Sequence, residues 1–247
     1  FLEGKYLSDK MTDADSLNNS KEKLEKAIDI DDEFSQAYAS LGLTYSLLGE
    51  YEDAEENLEE AIEYAEDLEQ IEALAFVYNY AGIFYKKIKN IKKSIKYFEK
   101  AIKSQNKIGD NHQLANYYHN MANCYGMDGN ADQMLNLIER SQKTYLELDD
   151  VARLGNSYAE MGNTFKTLHR FDESITMFEK SKPIFLSEEM YFNYTKVLII
   201  QSDVFIDQSD FDNAHKNLEE AEKYTRKFDN PMMNGRISFS FARVMYG

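Results

Sequence analysis

Asparagine is the residue type in this chain best placed for recognition chemistry. Six of them, Asn79, Asn116, Asn120, Asn123, Asn156 and Asn163, fall in the middle of the sequence. Asn116 and Asn120 are four residues apart and Asn120 and Asn123 three apart, so on a helix these three share a face. Asparagine is a mediocre helix former, and its recurrence in helical stretches asks for a reason. A carboxamide offers donors and an acceptor together, which suits an extended peptide whose own backbone groups are unpaired. Lys86, His119, Glu160 and Lys166 fall near the same face and would add charge to it. The competing account is that the amides are solvated, or bond one another between neighbouring helices.

Other chemistry finds little support. His112, His119, His169 and His215 lack the spacing of metal ligands. Asp29, Asp31 and Asp32 superficially suggest calcium, but the glycine and distal glutamate of an EF-hand loop are missing, so a solvated helix end is the better account. Cys124 stands beside Tyr125 with no sequence neighbour to activate it, and reads as a small buried residue. There is no phosphate-binding glycine loop, no HExxH and no nucleophile elbow. The expectation is a protein that is not an enzyme, with no catalytic residues, no metal and no cofactor.

The elements that position these residues are set by a repeat. The stretch Tyr38 to Ala61 reads as two short amphipathic helices folded back on each other. A shift of forty residues carries Gly42 to Gly82, Ala122, Gly162, Ser202 and Ala242, all small. The same shift carries Tyr45 to Tyr85, Tyr125, Phe165, Phe205 and Met245, Leu58 to Phe98, Ile138, Phe178 and Leu218, and Ala61 to Ala101, Ser141, Ser181 and Ala221. A small residue in the first helix lets the second approach closely, and the aromatic three residues later fills the space between them. Tyr38, Tyr78, Tyr118 and Tyr158 add a further aromatic column. Ala54, Leu58 and Ala61 form the apolar stripe of the second helix. One such hairpin cannot bury its face alone, so neighbours must stack into a solenoid.

The pattern Tyr38, Leu41-Gly42, Tyr45, Ala54, Leu58, Ala61 resembles the tetratricopeptide repeat, or TPR. That resemblance implies an all-α fold, a right-handed TPR superhelix of about six helix pairs plus a final helix, with a concave groove lined by the first helices. The usual repeat is about 34 residues, whereas the central units here are forty, as in kinesin light chain, the LGN-type polarity adaptors and many bacterial sensors. Six extra residues lengthen the helices by about 9 Å in total. In TPR proteins of this long type, groove asparagines commonly hold peptides, which marks Asn79, Lys86, Asn116, His119, Asn120, Asn123, Asn156, Glu160, Asn163 and Lys166 as groove residues. The Lys/Asn set of an Hsp-type carboxylate clamp has no match. The run from Gly4 to Tyr45 resembles the leading segment of TPR regions attached to bacterial nucleotide cyclases, serine/threonine kinases and winged-helix regulators.

The expected organisation is one solenoid domain, 1–247, with units at 1–34, 35–74, 75–114, 115–154, 155–194 and 195–234 and a final helix at 235–247. A polar stretch from Asp9 to Ser20 is suited to a loop and cap in the first unit. Turns are expected at Leu48-Gly49-Glu50, Lys89-Asn90, Gly109-Asp110-Asn111, Asp128-Gly129-Asn130, Asp149-Asp150, His169-Arg170 and Ser209-Asp210. Asn230 should cap a helix beginning at Pro231. Starting without Met and stopping inside a repeat, the chain reads as a piece of a longer polypeptide, the alternative being a natural capping helix.

The net charge of −16 is unevenly spread. Residues 35–74 hold twelve acids and no Lys or Arg, whereas residues 75–114 hold nine Lys and two acids. Glu52, Glu55, Glu56, Glu59, Glu60 and Glu63 fall on one second helix, and Lys92, Lys93, Lys96, Lys100 and Lys103 on the next. Either they pair between repeats, or they form an acidic docking surface beside a basic one. Strong acidity argues against nucleic acid as the main ligand. No apolar run reaches the ~18 residues of a membrane span, and the single Cys fits a reducing, cytoplasmic setting. Phe76, Tyr80, Tyr117, Phe239 and Tyr246 stand off the main columns, either facing ligand or packing between repeats. The expected function is a protein- or peptide-binding scaffold, as in the sensory or regulatory segment of a bacterial signalling protein. The alternatives are a Rap-type regulatory protein with enzymatic side activity, or a self-association module of a multidomain enzyme, which would make the protein a homo-oligomer.

Overall fold

A computed structural model of the chain describes residues 14–109, 111–227 and 230–246. The first helix expected for the first unit, Asp110, Asp229 and Gly247, and the side chains of His112 and Tyr246, lie outside the described residues. Among those described there are twelve helices and no strand. They are α1 (Ala14–Ile30), α2 (Ser35–Leu48), α3 (Tyr51–Asp67), α4 (Ile71–Lys87), α5 (Ile91–Ile108), α6 (Asn111–Met127), α7 (Ala131–Glu147), α8 (Val151–Thr167), α9 (Phe171–Ser187), α10 (Tyr191–Asp207), α11 (Phe211–Thr225) and α12 (Pro231–Tyr246). From Ile71 onward, first helices begin every forty residues, and from Tyr51 so do the second helices. None of the described helices is long and apolar enough to cross a membrane.

The turns obey half that period. Gly49, Glu69, Lys89, Gly109, Gly129, Asp149, His169, Glu189 and Ser209 all have positive φ, between 50° and 89°. The amide after such a residue bonds back across the helix end, as from Glu50 to the Tyr45 carbonyl at 3.0 Å and from Asn90 to that of Tyr85 at 2.8 Å. This closes the last helical turn and satisfies carbonyls that would otherwise lack donors. The next helix opens on a side-chain cap: Asn90, Asn130, Asp150 and Asp210 each accept from the amide three residues on, at 3.1 to 3.3 Å. Asn230 caps α12 in the expected way, accepting from the Met233 amide at 3.0 Å, and Pro231 is its first residue.

One expectation is corrected. The polar stretch ending at Ser20 is not a loop where it is described: Ala14 to Ser20 open α1. Leu17, Ser20 and Leu24 are spaced to share one face, and all three are buried. The Asp and Asn residues that suggested a loop, Asp15, Asn18 and Asn19, lie on the exposed side of that helix.

The chain divides between Thr144 and Tyr145 into two compact units. In the first, a methyl group added at Gly82 would sit 2.7 Å from a ring carbon of Phe98, so only glycine permits this approach of α5 to α4. The Ser94 hydroxyl donates to the Gly82 carbonyl at 2.7 Å across the same contact. The second unit repeats the arrangement. Gly162 lies so close to Phe178 that an added Cβ would sit 2.6 Å from a ring carbon, and Ser174 donates to the Gly162 carbonyl at 2.7 Å. The cores gather around these helix pairs: Leu58, Val77 and Phe84 in the first unit, Phe178, Phe185 and Leu198 in the second. Tyr80 and Tyr117 are buried among the packing residues, whereas Phe239 is 67 % exposed.

Part of the charge asymmetry is taken up by pairing between repeats. Lys93 on α5 reaches Glu55 on α3 at 3.3 Å, and Lys100 reaches Glu66 at 3.3 Å. Two tyrosines of α4 are threaded between them. The Tyr85 hydroxyl donates to Glu55 at 2.6 Å, Tyr78 donates to Glu66, and each lysine lies over the ring of its tyrosine, at 4.5 and 4.6 Å. Tyr97 stacks parallel on Tyr85, with centroids 5.3 Å apart.

Candidate functional site

In the first unit the first helices α2, α4 and α6 pack side by side. The asparagines on their shared face serve one another. Asn79 is buried, and its carboxamide oxygen accepts from Asn120 Nδ2 at 3.2 Å. Phe76 and Tyr80 pack beside them with their rings tilted by 37° and centroids 4.2 Å apart. Lys86, Asn116, His119 and Asn123 are half-buried on α4 and α6. Cys124 is fully buried with its sulfur 3.1 Å from the Ser94 hydroxyl. Burial pushes its thiol up, against weaker opposing pulls from Ser94 and Lys86, so it is a poor nucleophile.

The second unit is built differently on the corresponding face. Asn193 on α10 donates from Nδ2 to Asn156 Oδ1 on α8 at 2.8 Å. Beside this bridge α8 and α10 part to leave a recess of about 120 Å³. Its α8 wall is Asn156, Ala159, Glu160 and Asn163, and its α10 wall is Asn193, Lys196, Val197 and Ile200. Phe178 and Phe185 of α9 close the bottom. Both phenylalanines and Val197 are almost wholly buried, whereas Glu160, Asn163 and Lys196 are exposed at the rim. Three of the ten groove residues expected from sequence therefore come together here: Asn156, Glu160 and Asn163.

The fourth, Lys166, is drawn into an ionic cluster. It lies 3.4 Å from Asp203 of α10, a carboxylate only 14 % exposed. Asp203 also takes Arg243 of α12 at 2.9 Å, with Arg236 further off at 3.8 Å and the Ser240 hydroxyl at 3.5 Å. Arg243 uses its other nitrogen on Asp207 at 3.1 Å. Asp203 thus ties α8, α10 and α12 together.

Asn193 and Lys196 escaped the sequence argument. Lys196 stands forty residues after Asn156, and Asp203 forty after Asn163. The repeat register that defined the core columns would have placed both on this face. Asn193 aligns with Arg153 and Gln113, and no repeated residue type singled it out. Chemically, the recess joins an apolar floor to an amide rim. It can hold a small apolar group while pairing with the backbone that carries it.

These features define a helical-repeat protein of the tetratricopeptide type, an α-solenoid. Residues 35–68 match the tetratricopeptide repeat itself. A far longer match covers residues 52–235 and is to the soluble NSF attachment proteins, SNAP; the chain belongs to that family. No curated protein matches the sequence. Among solved structures, BtubC of P. vanneervenii is similar at 18 % identity and TM-score 0.73, over 87 % of this chain and 92 % of that one. A signal transduction ATPase with numerous domains from Pyrococcus horikoshii, a protein with a tetratricopeptide repeat sensor, is similar at 20 % identity and TM-score 0.82. That likeness covers 93 % of this chain but only 36 % of the ATPase. Aspartyl phosphate phosphatase F of Bacillus subtilis is similar at 13 % identity and TM-score 0.73, over 89 % of this chain and 60 % of that one. The chain therefore spans about a third of the ATPase and less than two thirds of the phosphatase, and at these identities the likeness is one of fold.

Proposed function

We propose that this protein is a non-catalytic, cytoplasmic binding scaffold that holds an extended segment of a partner protein on the face of its first helices, as the sensory or regulatory part of a bacterial signalling system. Asn79, Lys86, Asn116, His119, Asn120, Asn123, Asn156, Glu160, Asn163 and Lys166 are the groove residues of this reading, and Asn193 and Lys196 join them. The observation that carries it is the amide rim of the second unit. The Asn193–Asn156 bond uses one donor and one acceptor and leaves hydrogen-bonding capacity on both carboxamides, and the exposed Asn163 adds a third. An extended peptide needs such partners of both kinds. The sensor role named for the tetratricopeptide part of the Pyrococcus protein, and the attachment role in the SNAP family's name, point the same way.

Selection of random dodecapeptides against the purified protein tests this. An enriched sequence class is expected, and its binding should fall when Asn163→Ala and Asn193→Ala are combined, in a variant that still unfolds in one cooperative transition. The absence of any enriched class, or enrichment indifferent to both substitutions, removes the proposal. A second function, self-association, is supported by α12, where Met232, Phe239 and Met245 are 67 to 75 % exposed. Sedimentation of the wild type against Phe239→Glu distinguishes it, since a dimer built on α12 would dissociate in that variant.

A further inference from the structure

We propose that the recess between α8 and α10 is a socket for one aliphatic side chain of the bound peptide, and that Lys196 receives an acidic side chain two residues away from it. This rests on the peptide-binding function proposed above and names the sequence class that function leaves open.

Size sets the first half. A recess of about 120 Å³ is smaller than the roughly 150 Å³ cavity that holds benzene. It suits the branched end of Leu, Ile or Val and excludes an indole. Chemistry agrees with size. Ala159, Phe178, Phe185, Val197 and Ile200 offer no side-chain polar atom, so a charged or amide group pushed to the bottom would lose its hydrogen bonds to water and gain none. The rim supplies what the floor lacks. Asn156, Asn163 and Asn193 stand where the peptide backbone must pass if its side chain points inward.

Charge sets the second half. Lys196 is exposed on the rim and has no ion-pair partner among the described residues. Glu160, on the opposite wall, already has an interaction of its own. Lys196 is thus the cation this rim offers a ligand, in a chain whose net charge is −16. In an extended peptide, side chains two residues apart lie on one side, about 7 Å apart. An acidic residue at that spacing reaches the rim while the aliphatic one fills the floor.

The probe is the blocked heptapeptide acetyl-Ala-Asp-Ala-Leu-Ala-Asp-Ala-amide, which carries Asp on both sides so that its direction does not matter. Binding to the whole protein is followed by NMR through the methyl groups of Val197 and Ile200 and the side-chain amides of Asn163 and Asn193. Replacing the central Leu by Ala or Trp should weaken binding about ten-fold. Ala159→Leu, which fills the socket, should do the same, and should Ala159→Leu disturb the fold, Ile200→Ala should move the preference from Leu towards Phe. Replacing both Asp by Lys, or Lys196 by Ala, should weaken binding about three-fold and remove most of its salt dependence. Equal affinity for the Leu and Ala peptides overturns the socket and leaves the peptide-binding function standing. So does failure of the heptapeptide where selected dodecapeptides bind. If no peptide of either kind moves the Asn163 or Asn193 amides, both fall. An unchanged affinity and salt dependence in Lys196→Ala overturns the acidic half alone.

Discussion

In the first unit, the charges that tie neighbouring repeats lie between second helices, where Lys93 and Lys100 of α5 meet Glu55 and Glu66 of α3 across two tyrosines. In the second unit they lie between first helices, where Lys166 and Arg243 converge on Asp203. The first-helix faces differ accordingly. In the first unit this face is filled by the tilted Phe76–Tyr80 pair and the Asn79–Asn120 bond. In the second it keeps a recess with three carboxamides and a lysine at its rim. The same repeat can thus be braced from either side, and the side that carries the brace also differs in what it leaves exposed. An ionic brace on the first helices holds α8 and α10 together without filling the space between them with aromatic rings.

The largest expected effect comes from removing the second unit's brace. Asp203→Ala leaves Arg243 and Lys166 without their shared carboxylate in a place only 14 % exposed. Hydrogen bonds to charged groups of this kind contribute about 2–3 kcal/mol, and denaturant unfolding should show a loss of that order. Lys93→Met and Lys100→Met in the first unit should cost no more than about 1 kcal/mol each, because the side chains involved are 40 to 50 % exposed and the pairs are screened. Repeating both measurements at high salt sharpens the contrast: the lysine effects should shrink and the Asp203 effect should largely persist. Equal losses in the two units would erase the distinction drawn between the braces.

The forty-residue register makes most of this architecture legible in the sequence. Gly82 and Gly162 pointed to the close helix approaches, and Asn230-Pro231 to the start of α12, because each has a local mechanical reason. Sliding Asn156 and Asn163 by one period also leads to Lys196 and Asp203, but neither shares the residue type that marks the face. The partners across repeats were not legible. Asn79 and Asn120 are 41 residues apart, Asn156 and Asn193 are 37, Glu66 and Lys100 are 34, and Glu55 and Lys93 are 38. These offsets depend on how far one repeat slides and turns against the next, which residue types do not record. The start of α1 differs from its sequence expectation for another reason: Asp15, Asn18 and Asn19 suit loops, yet the burial of Leu17, Ser20 and Leu24 outweighs their weak helix propensity. The long match to the attachment-protein family lay beyond what the column pattern alone could name.

Acid should separate the units next. The Tyr85 hydroxyl bond holds the Glu55 carboxyl below the ordinary carboxylate range, with burial opposing and Lys93 assisting, and Tyr78 and Lys100 do the same for Glu66. A carboxyl whose pKa is lowered on folding contributes stability that is complete above its unfolded value, about 4. That contribution is lost as pH falls through the lower folded value. Because both carboxylates are well exposed, the sum should not exceed about 1 kcal/mol. In Tyr78→Phe with Tyr85→Phe the native pKa values should rise, and the melting temperature should depend less on pH below about 4. A double variant that loses stability on acidification as steeply as the wild type would show that the tyrosines do not set the carboxylates' charge.

The smallest effect concerns the turns, where the units again part. Five left-handed turn residues fall in the first unit and three are glycine: Gly49, Gly109 and Gly129. Four fall in the second, Asp149, His169, Glu189 and Ser209, and none is glycine. A residue with a Cβ loses about 1–2 kcal/mol in this conformation, and glycine gives back roughly 0.5–1 kcal/mol of that through its greater unfolded freedom. Glu189→Gly and Ser209→Gly, both at exposed positions, should therefore stabilise the protein by about 0.5 kcal/mol each. Asp149→Gly should gain least, since aspartate already tolerates the left-handed region. Gly49→Ala in the first unit should lose about 0.5 kcal/mol although a methyl group there would touch nothing within 4 Å, so that the whole cost is one of backbone conformation. Thermal melts of the four variants give the test. If Glu189→Gly and Ser209→Gly bring no gain, the second unit's turns are relaxed by something other than φ, and the two units are equally well closed.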